Sequence, residues 1–321
     1  MNLQTKIKLE KQSKHLIDYN SSVLLLGSCF SENIGEKLEY FKFQNLQNPF
    51  GILFHPKSIE LLIEDVVNKK QYLEDDVFYY NEQWHSFKAH SKLSHTSKEV
   101  LLKMLNAHIA LTHQYIKNAT HIVITLGTAW VYNHLESNLV VANCHKLPQK
   151  QFEKKILTVS DIATSLKNII DGITSLNAMA TVVFTVSPVR HLKDGFIENT
   201  QSKAHLISAI HEVLNQKSNI SNSQLFYFPS YEIMMDELRD YRFYKADMLH
   251  PNQTAIHYIW DKFNQVWIAD KTIQTMDTVD AVQKGLQHKP FNPDSEAHQK
   301  FIKHLEAKKA TLTSQFPYIK F

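Results

Sequence analysis

Short apolar runs alternate with amphipathic stretches along most of the chain. A run without polar alternation is typical of a strand that is buried on both faces, as in a parallel sheet. The chain carries four strong runs and a weaker fifth one, which are Val23–Leu26, Ile122–Leu126, Thr181–Val186, Leu225–Phe228 and Leu139–Ala142. We predict that these runs form the strands of an open parallel sheet.

The stretches between these runs have apolar residues at helical spacing. In the first of them, Ile34, Leu38 and Phe41 share one face. The predicted helices are Ser31–Phe41, Ser97–Ile116, Ser160–Ile173, Ile197–Leu214 and Thr254–Trp267. Because strands and helices alternate, we predict an α/β fold in which an open parallel sheet is flanked by helices on both sides.

The remaining segments indicate how the chain is divided. Residues 42–95 and 129–158 are less regular, and we expect them to be long excursions above the sheet. We predict a main domain over residues 1–268 and an appended helical tail over residues 269–321. Within the tail, two polar helices are predicted, at Thr272–Leu286 and Pro293–Leu312.

Composition narrows the class of protein. The 321 residues are 43% hydrophobic and 21% charged, which is ordinary for a folded domain. The formal net charge of +3 is too small to indicate nucleic acid or an anionic membrane as a partner. Two cysteines cannot build a disulfide framework, and no apolar run approaches the roughly 20 residues of a membrane span. The first 20 residues have no apolar signal core, so we expect a cytoplasmic protein.

Glycine is scarce, with 7 residues where an average content would give roughly 22. Gly27, Gly51 and Gly127 directly follow or interrupt short apolar stretches. At such places a backbone bends sharply or comes close to a ligand. These three glycines therefore indicate where a site could lie.

The first candidate for chemistry is Ser28, which follows the first predicted strand and precedes the first predicted helix. Ligands of open α/β sheets bind at the carboxyl ends of the strands. The dipole and free N–H groups of a helix start would stabilise an alkoxide there. The alternative is that Ser28 or Ser31 only caps the helix.

The second candidate is the pair Asp247 and His250, three residues apart on the predicted turn before the helix that begins near Thr254. The carboxylate could hold the imidazole tautomer while the other ring nitrogen takes a proton from a hydroxyl. Taken alone, a capping aspartate and a His-Pro turn explain the same residues. Together with Ser28 at the same predicted sheet edge, however, they make a Ser-His-Asp nucleophile.

Such a nucleophile also needs an oxyanion hole. Two loops are candidates because each contains a glycine whose N–H could approach the substrate oxygen: residues 47–52, with Asn48 and Gly51, and residues 125–130, with Gly127. One such donor contributes about 3–4 kcal/mol to the transition state.

The ordered motifs resemble the GSCFA domain family, which is grouped with the SGNH/GDSL hydrolases. The motifs are Gly-Ser-Cys-Phe at 27–30, Asn-Pro-Phe-Gly at 48–51, Leu-Gly-Thr-Ala-Trp at 126–130, Asn-Cys-His-Lys at 143–146, Ser-Pro-Val-Arg-His at 187–191 and the Asp247/His250 block. The resemblance covers about residues 22–265. It implies a flavodoxin-like three-layer sandwich of the SGNH-hydrolase type.

The resemblance also implies roles for single residues. Ser28 would be the nucleophile, His250 the general base and Asp247 the residue that orients it. The backbone N–H groups of Ser28 and Gly51 would form the oxyanion hole. SGNH enzymes usually have an asparagine two residues after the third-block glycine, where this chain has Ala129.

Three side chains could replace the missing asparagine: the Thr128 hydroxyl, or the amide of Asn48 or Asn143. Cys29, beside Ser28, is an alternative nucleophile, because a thiolate is the more reactive group. We favour Ser28, since adjacent side chains at such a turn point in different directions.

Other polar motifs give weaker indications. Cys144 and His145 could contact substrate, and Arg190 with His191 could contact a substrate carboxylate or phosphate. A structural role or a surface ion pair is the alternative for each of them. The chain has no His-Glu-x-x-His or Cys-x-x-Cys pattern among its 18 histidines and two cysteines. We therefore predict neither a metal nor another cofactor.

These residues favour a serine esterase or acyl hydrolase that acts on a small-molecule or carbohydrate ester through Ser28, His250 and Asp247. An O-acyltransferase with the same triad is one alternative. A non-catalytic ligand-binding module is the other, and Ala129 favours it. The sequence indicates neither the acyl group, the alcohol nor the oligomeric state.

Overall fold

The computed structural model describes residues 4–216 and 224–321. The strands are β1 (Ser22–Gly27), β2 (Gln44–Gln47), β3 (Phe78–Tyr80), β4 (Gln83–His85), β5 (His121–Leu126), β6 (Trp130–His134), β7 (Leu139–Val141), β8 (Phe152–Ile156), β9 (Thr181–Val186) and β10 (Gln224–Phe228). Five of them form a central sheet in the order β10-β9-β5-β1-β2, and all neighbours are parallel. This confirms the predicted α/β class.

Helices cover both faces of this sheet. They are α1 (Cys29–Tyr40), α2 (Pro56–Val67), α3 (Lys98–Asn118), α4 (Val159–Leu176), α5 (Phe196–Asn215), α6 (Ser230–Glu232), α7 (Gln253–Trp267), α8 (Ile273–Gln287) and α9 (Glu296–Gln315), with a π-helical turn at Ile233–Glu237 after α6. Buried side chains of α2 to α5 join the core on one face, and those of α1 and α7 to α9 join the core on the other. In the described residues, no helix is long and apolar enough to cross a membrane.

The continuous hydrophobicity of the strands follows from these two cores. In β1, Leu24 and Leu26 belong to the core under α2 to α5, whereas Val23 and Leu25 belong to the core under α1 and α7. All four side chains are at most 2% exposed. Since successive side chains point to opposite faces, a strand that is covered twice is apolar along most of its length.

The structure corrects the prediction in two places. The weak run at 139–142 forms β7, which lies outside the parallel sheet in a three-stranded antiparallel sheet of order β7-β6-β8. Residues 42–95, expected to be irregular, contain the edge strand β2 and the helix α2. The sequence Gln-Asn-Leu-Gln gives β2 no apolar run, and all four residues are only partly buried.

The C-terminal helix α8 contacts the end of α1, and α9 packs on α8. The Tyr40 hydroxyl at the end of α1 donates to Asp280 Oδ1 of α8 at 2.8 Å, and the Gln283 amide donates to the Tyr40 carbonyl at 3.0 Å. Beyond α9, Phe316 stacks on Tyr19 with ring centroids 4.8 Å apart. The tail thus contributes to the core on the α1 face.

Candidate functional site

Ser28 lies where β1 ends and α1 begins, at the carboxyl edge of the central sheet. The residue before it, Gly27, has φ +129°, and an added Cβ there would overlap the Thr125 carbonyl oxygen. Only glycine fits this turn without strain. The turn leads the chain directly from the sheet into the first turn of α1, and it leaves Ser28 1% exposed.

The Ser28 side chain caps α1, which is the structural role that the sequence offered as the alternative to catalysis. Its Oγ accepts the Phe30 N–H at 3.2 Å, while its backbone N–H donates to the Thr125 carbonyl at 3.0 Å. The hydroxyl proton has no acceptor among the described residues. Ser31 differs, since its hydroxyl bonds to the Leu26 carbonyl at 3.0 Å and to Thr125 Oγ1 at 2.8 Å. Ser28 therefore keeps a hydroxyl proton that it can donate, whereas the Ser31 hydroxyl connects α1 to β1 and β5.

Asp247 and His250 lie on the turn before α7 and contact each other directly. His250 Nδ1–H donates to Asp247 Oδ2 at 2.6 Å. Asp247 Oδ1 accepts the N–H groups of His250 at 3.0 Å and of Leu249 at 2.9 Å. These backbone hydrogen bonds, helped by the imidazole, lower the pKa of Asp247 to about 2. The carboxylate is thus ionised at neutral pH and fixes the ring.

The direction of α7 brings this turn to the sheet edge that carries Ser28. At the far end of α7, Ile268 pairs in parallel with Ile17, which precedes β1. The Ile17 N–H donates to the Trp267 carbonyl at 2.7 Å. The C-terminus of α7 therefore lies near the beginning of β1, and its N-terminus points toward the end of β1. Helix α7 also packs against α1.

Ser28 and His250 are not hydrogen-bonded to each other. The His250 side chain is 43% exposed, whereas Ser28 is buried. Charge effects nevertheless connect the elements around them. Burial, followed by Glu32, raises the pKa of Cys29 at the start of α1, and the positive charges of Lys203 and of Lys245, on the His250 turn, act in the opposite direction. The turn before α7 and the start of α1 are therefore electrostatic neighbours.

The loop after β2 bends over the end of β1. Asn48 accepts the Gly27 N–H on its side-chain oxygen at 2.9 Å, and its backbone N–H donates to the Leu25 carbonyl at 2.9 Å. The Gly51 N–H donates to the Asn48 carbonyl at 2.7 Å. Both N–H groups that the resemblance assigns to an oxyanion hole, those of Ser28 and Gly51, are thus bonded to backbone carbonyls in this structure.

The nitrogen of the Asn48 side-chain amide has no hydrogen-bond partner. Asn48 is 8% exposed, and its Nδ2 is buried without a hydrogen-bond partner. Buried polar groups are nearly always paired, so an unpaired amide needs an explanation. The oxygen of the same side-chain amide, Oδ1, already accepts the N–H of Gly27, the residue before Ser28. Asn48 is therefore a donor without an acceptor close to the candidate nucleophile.

The loop at Gly127 follows β5 at the same edge. The Thr128 hydroxyl bonds to Ser202 Oγ at 3.0 Å and accepts the Trp130 N–H at 3.1 Å. The Ala129 N–H donates to Ser202 Oγ at 2.7 Å. Since Thr128 is engaged in these bonds, it is a poorer substitute for the missing asparagine than Asn48.

Asn143 and His145 lie in a different environment. Asn143 Oδ1 accepts the His145 N–H at 2.8 Å, and His145 Nε2 bonds to the Ser86 carbonyl at 2.8 Å. The His145 ring sits 4.6 Å from the His85 ring, and burial lowers its pKa to about 4. None of their described contacts reaches Ser28, Asp247 or His250.

The two cysteines have thiols that burial keeps protonated. Burial raises the pKa of Cys144 to about 11, and burial followed by Glu32 raises the pKa of Cys29. A thiolate, the reactive form, is therefore disfavoured at Cys29. In the described residues, no group of three or more His, Cys, Asp or Glu side chains is placed to hold a metal ion.

Arg190 and His191 follow β9 at the same edge as Ser28. The His191 ring stacks on Phe54, and its Nε2 is buried without a partner. Burial first, and then the positive charges of Lys203 and His250, lower its pKa to about 3. His191 is therefore a neutral ring in the neighbourhood of His250.

Comparison with known sequences places the chain in a family. The sequence model of the GSCFA family matches residues 22–263. The chain belongs to the GSCFA family. A second model, described as the C-terminal domain of GSCFA domain proteins, matches residues 279–321. The family therefore accounts for both the sheet and the helical tail.

Other comparisons are distant. No curated protein matches this GSCFA family member. Among solved structures, a carbohydrate esterase family 3 protein from Talaromyces cellulolyticus aligns with 8% identity and a TM-score of 0.37, over 80% of this chain and 98% of that one. At this level, the likeness carries no argument about the chemistry of this chain.

Lys203, which no motif in the sequence indicates, joins two loops at the sheet edge of the candidate site. Lys203 is 1% exposed, and its Nζ donates to the carbonyls of Gly127 at 2.7 Å and Ser187 at 2.8 Å. Burial lowers its pKa to about 7. Lys203 and Ser202 lie on the buried face of α5, in line with Leu206. Polar residues on an otherwise apolar helix face were the signal that could have identified them.

Proposed function

We propose that this protein is a serine esterase or acyl hydrolase with Ser28 as the nucleophile, His250 as the general base and Asp247 as the residue that orients His250. The observation that carries the proposal is the 2.6 Å contact between His250 Nδ1 and Asp247 Oδ2, on a turn that α7 directs toward the sheet edge of Ser28. This contact leaves His250 Nε2 as the ring atom that can take a proton.

The chemistry begins when Ser28 transfers its hydroxyl proton to His250 Nε2 and attacks the ester carbonyl carbon. The carbonyl electrons move to the oxygen, which becomes an oxyanion. When the oxyanion re-forms the carbonyl, the C–O bond to the alcohol breaks, the imidazolium gives its proton to the leaving oxygen, and an acyl-Ser28 ester remains. Water attacks this ester with His250 again as the base, which releases the acid and restores the serine.

We assign the oxyanion contact to the Asn48 amide. Its Nδ2 is a buried donor without a partner, and its Oδ1 is fixed by the Gly27 N–H. A donor that is already oriented before the reaction stabilises developing charge without a cost in reorganisation. The start of α1, whose dipole is positive at Ser28, adds to the same effect.

Because Ser28 and His250 are not bonded in this structure, the triad requires the exposed His250 turn to approach the buried serine when substrate binds. Catalytic hydrogen bonds are often long before substrate arrives. The same separation favours the second candidate, a non-catalytic binding module on this fold. The two candidates differ in whether Ser28 is reactive.

A fluorophosphonate probe tests this reactivity. We expect one adduct per chain, located on the peptide with Ser28, together with turnover of 4-nitrophenyl acetate. Ser28→Ala should lose both. Cys29→Ala is the matched neighbour and should keep the adduct. Probe labelling of Ser28→Ala equal to the wild type, or no adduct while a control serine hydrolase reacts, would contradict the proposal. Adding a polyol acceptor separates hydrolysis from acyl transfer by the products that form.

A further inference from the structure

A cavity of about 260 Å³ lies next to the turn that carries Asp247 and His250. Its wall includes Met248 and Tyr244 from this turn and Arg190 from the loop after β9. Arg190 directly precedes His191 in the sequence. Burial, and then the positive charges of Lys203 and His250, lower the pKa of His191. The cavity therefore shares residues with the turn that carries the proposed general base.

Two guanidinium groups at this cavity lack a carboxylate partner among the described residues. Arg190 donates from Nη2 to the Met235 sulfur at 3.1 Å, and a thioether is a weak acceptor. Arg239 also lines the cavity and is exposed. The acidic residue in the wall, Asp240, is already paired with Arg242 at 3.0 Å. The cavity thus carries uncompensated positive charge.

Guanidinium groups bind carboxylates and phosphates through two parallel hydrogen bonds, and they are the preferred side chains for such recognition. The cavity volume is just below the range of about 300–1,000 Å³ that is typical of pockets for drug-sized ligands. It therefore suits a short substituent better than a long acyl chain. Tyr241 and Tyr244 add flat walls and hydroxyl groups.

We propose that this cavity binds an anionic group, a carboxylate or a phosphate, that the ester substrate carries, and that Arg190 is its main contact. This inference rests on the proposed function, since it names the class of ester that the triad hydrolyses. Binding of the anion beside the His250 turn would also hold the substrate in reach of that base.

Matched esters test this specificity. Wild-type kcat/KM should be at least about tenfold higher for 4-nitrophenyl hemisuccinate than for the methyl ester of the same compound. Arg190→Gln should lower this ratio about 10- to 100-fold, because a hydrogen-bonded charge pair is lost. Lys193→Gln removes a positive charge from a nearby exposed position outside the cavity wall, and it should change the ratio less than about twofold. An equal loss with both variants would overturn the inference.

A binding experiment separates failure of the inference from failure of the proposed function. Calorimetry on Ser28→Ala protein at low salt should show succinate or inorganic phosphate binding, and Arg190→Gln should abolish it. The stronger of the two anions identifies the group. If esters are hydrolysed but neither anion binds below about 10 mM, the inference is wrong and the proposed function stands. If anions bind through Arg190 but no ester is hydrolysed, the proposed function is wrong and the anion site stands.

Discussion

The Asp247 carboxylate holds both the ring and the backbone of His250. Its Oδ2 accepts the His250 Nδ1–H at 2.6 Å, while its Oδ1 accepts the His250 backbone N–H at 3.0 Å. The turn therefore builds the orientation of the imidazole into its own backbone. Because the hydrogen bonds lower the pKa of Asp247 to about 2, this orientation persists from neutral pH far into acid.

Asp247→Asn should lower kcat/KM about 10³- to 10⁴-fold and leave the fold intact. The amide oxygen can still accept the two backbone N–H groups, but the amide cannot hold the Nδ1–H tautomer that leaves Nε2 free. Steady-state kinetics with 4-nitrophenyl acetate measure this loss. Asp277→Asn, on the exposed face of α8, serves as the control. Activity of Asp247→Asn within threefold of the wild type would remove Asp247 from the mechanism.

Asn48→Asp should lower kcat about 10²- to 10³-fold with a smaller change in KM. The substitution keeps the Oδ1 acceptor for the Gly27 N–H, but it replaces the unpaired Nδ2 donor by a carboxylate oxygen. The loss should be at least that of one oxyanion donor, because the new carboxylate also repels the developing negative charge. Asn143→Asp is the comparison, because Asn143 bonds only within the Asn143–His145 turn. A larger loss of kcat in Asn143→Asp than in Asn48→Asp would contradict the assignment of the oxyanion contact to Asn48.

Lys203 should make the free energy of unfolding depend on pH. Burial lowers its pKa from 10.5 to about 7 in the folded state. Between these two values the unfolded chain binds one more proton than the folded chain, so the free energy of unfolding rises as pH increases, by at most about 1.4 kcal/mol per pH unit. Urea denaturation at pH 7, 8 and 9 should show this rise in the wild type.

Lys203→Met should lack this pH dependence, whereas Lys117→Met, an exposed substitution on α3, should keep it. The difference in unfolding free energy between the wild type and Lys203→Met should therefore shift in favour of the wild type as pH increases from 7 to 9. Parallel curves for the two proteins would show that Lys203 titrates as an ordinary lysine.

Gly27→Ala should destabilise the fold by at least about 2 kcal/mol, because φ is +129° and the new Cβ would overlap the Thr125 carbonyl. Gly35→Ala is the matched substitution inside α1. There the new Cβ would meet the Gln47 side chain, which can move, and alanine favours the helix by about 1 kcal/mol. Circular dichroism in urea compares the two. Equal losses would mean that the backbone at Gly27 relaxes freely.

The strands under two layers of helices were predictable from the sequence, because burial on both faces leaves mainly apolar residues in β1, β5 and β9. The edge strand β2 was not predictable, since its four residues are partly exposed and only Leu46 among them is apolar. Helix α2 was missed although its apolar spacing is clear.

In the candidate site, local chemistry was predictable and long-range chemistry was not. Asp247 and His250 are three residues apart on one turn, so their contact follows from local geometry. Lys203 reaches carbonyls that precede it by 76 and 16 residues, and no short pattern encodes such contacts. The free Asn48 amide likewise depends on which partner each of its atoms finds after folding.

The stacking of Phe316 on Tyr19 places the last residues of the chain beside the far end of α1. The Lys42 ammonium lies 5.3 Å from the centre of the Phe321 ring, just after that helix ends. Ser28 stands at the opposite end of the same helix. A protein immobilised on a bead or a biosensor chip through its carboxyl terminus would thus present the Ser28 edge to the solution, and not to the support.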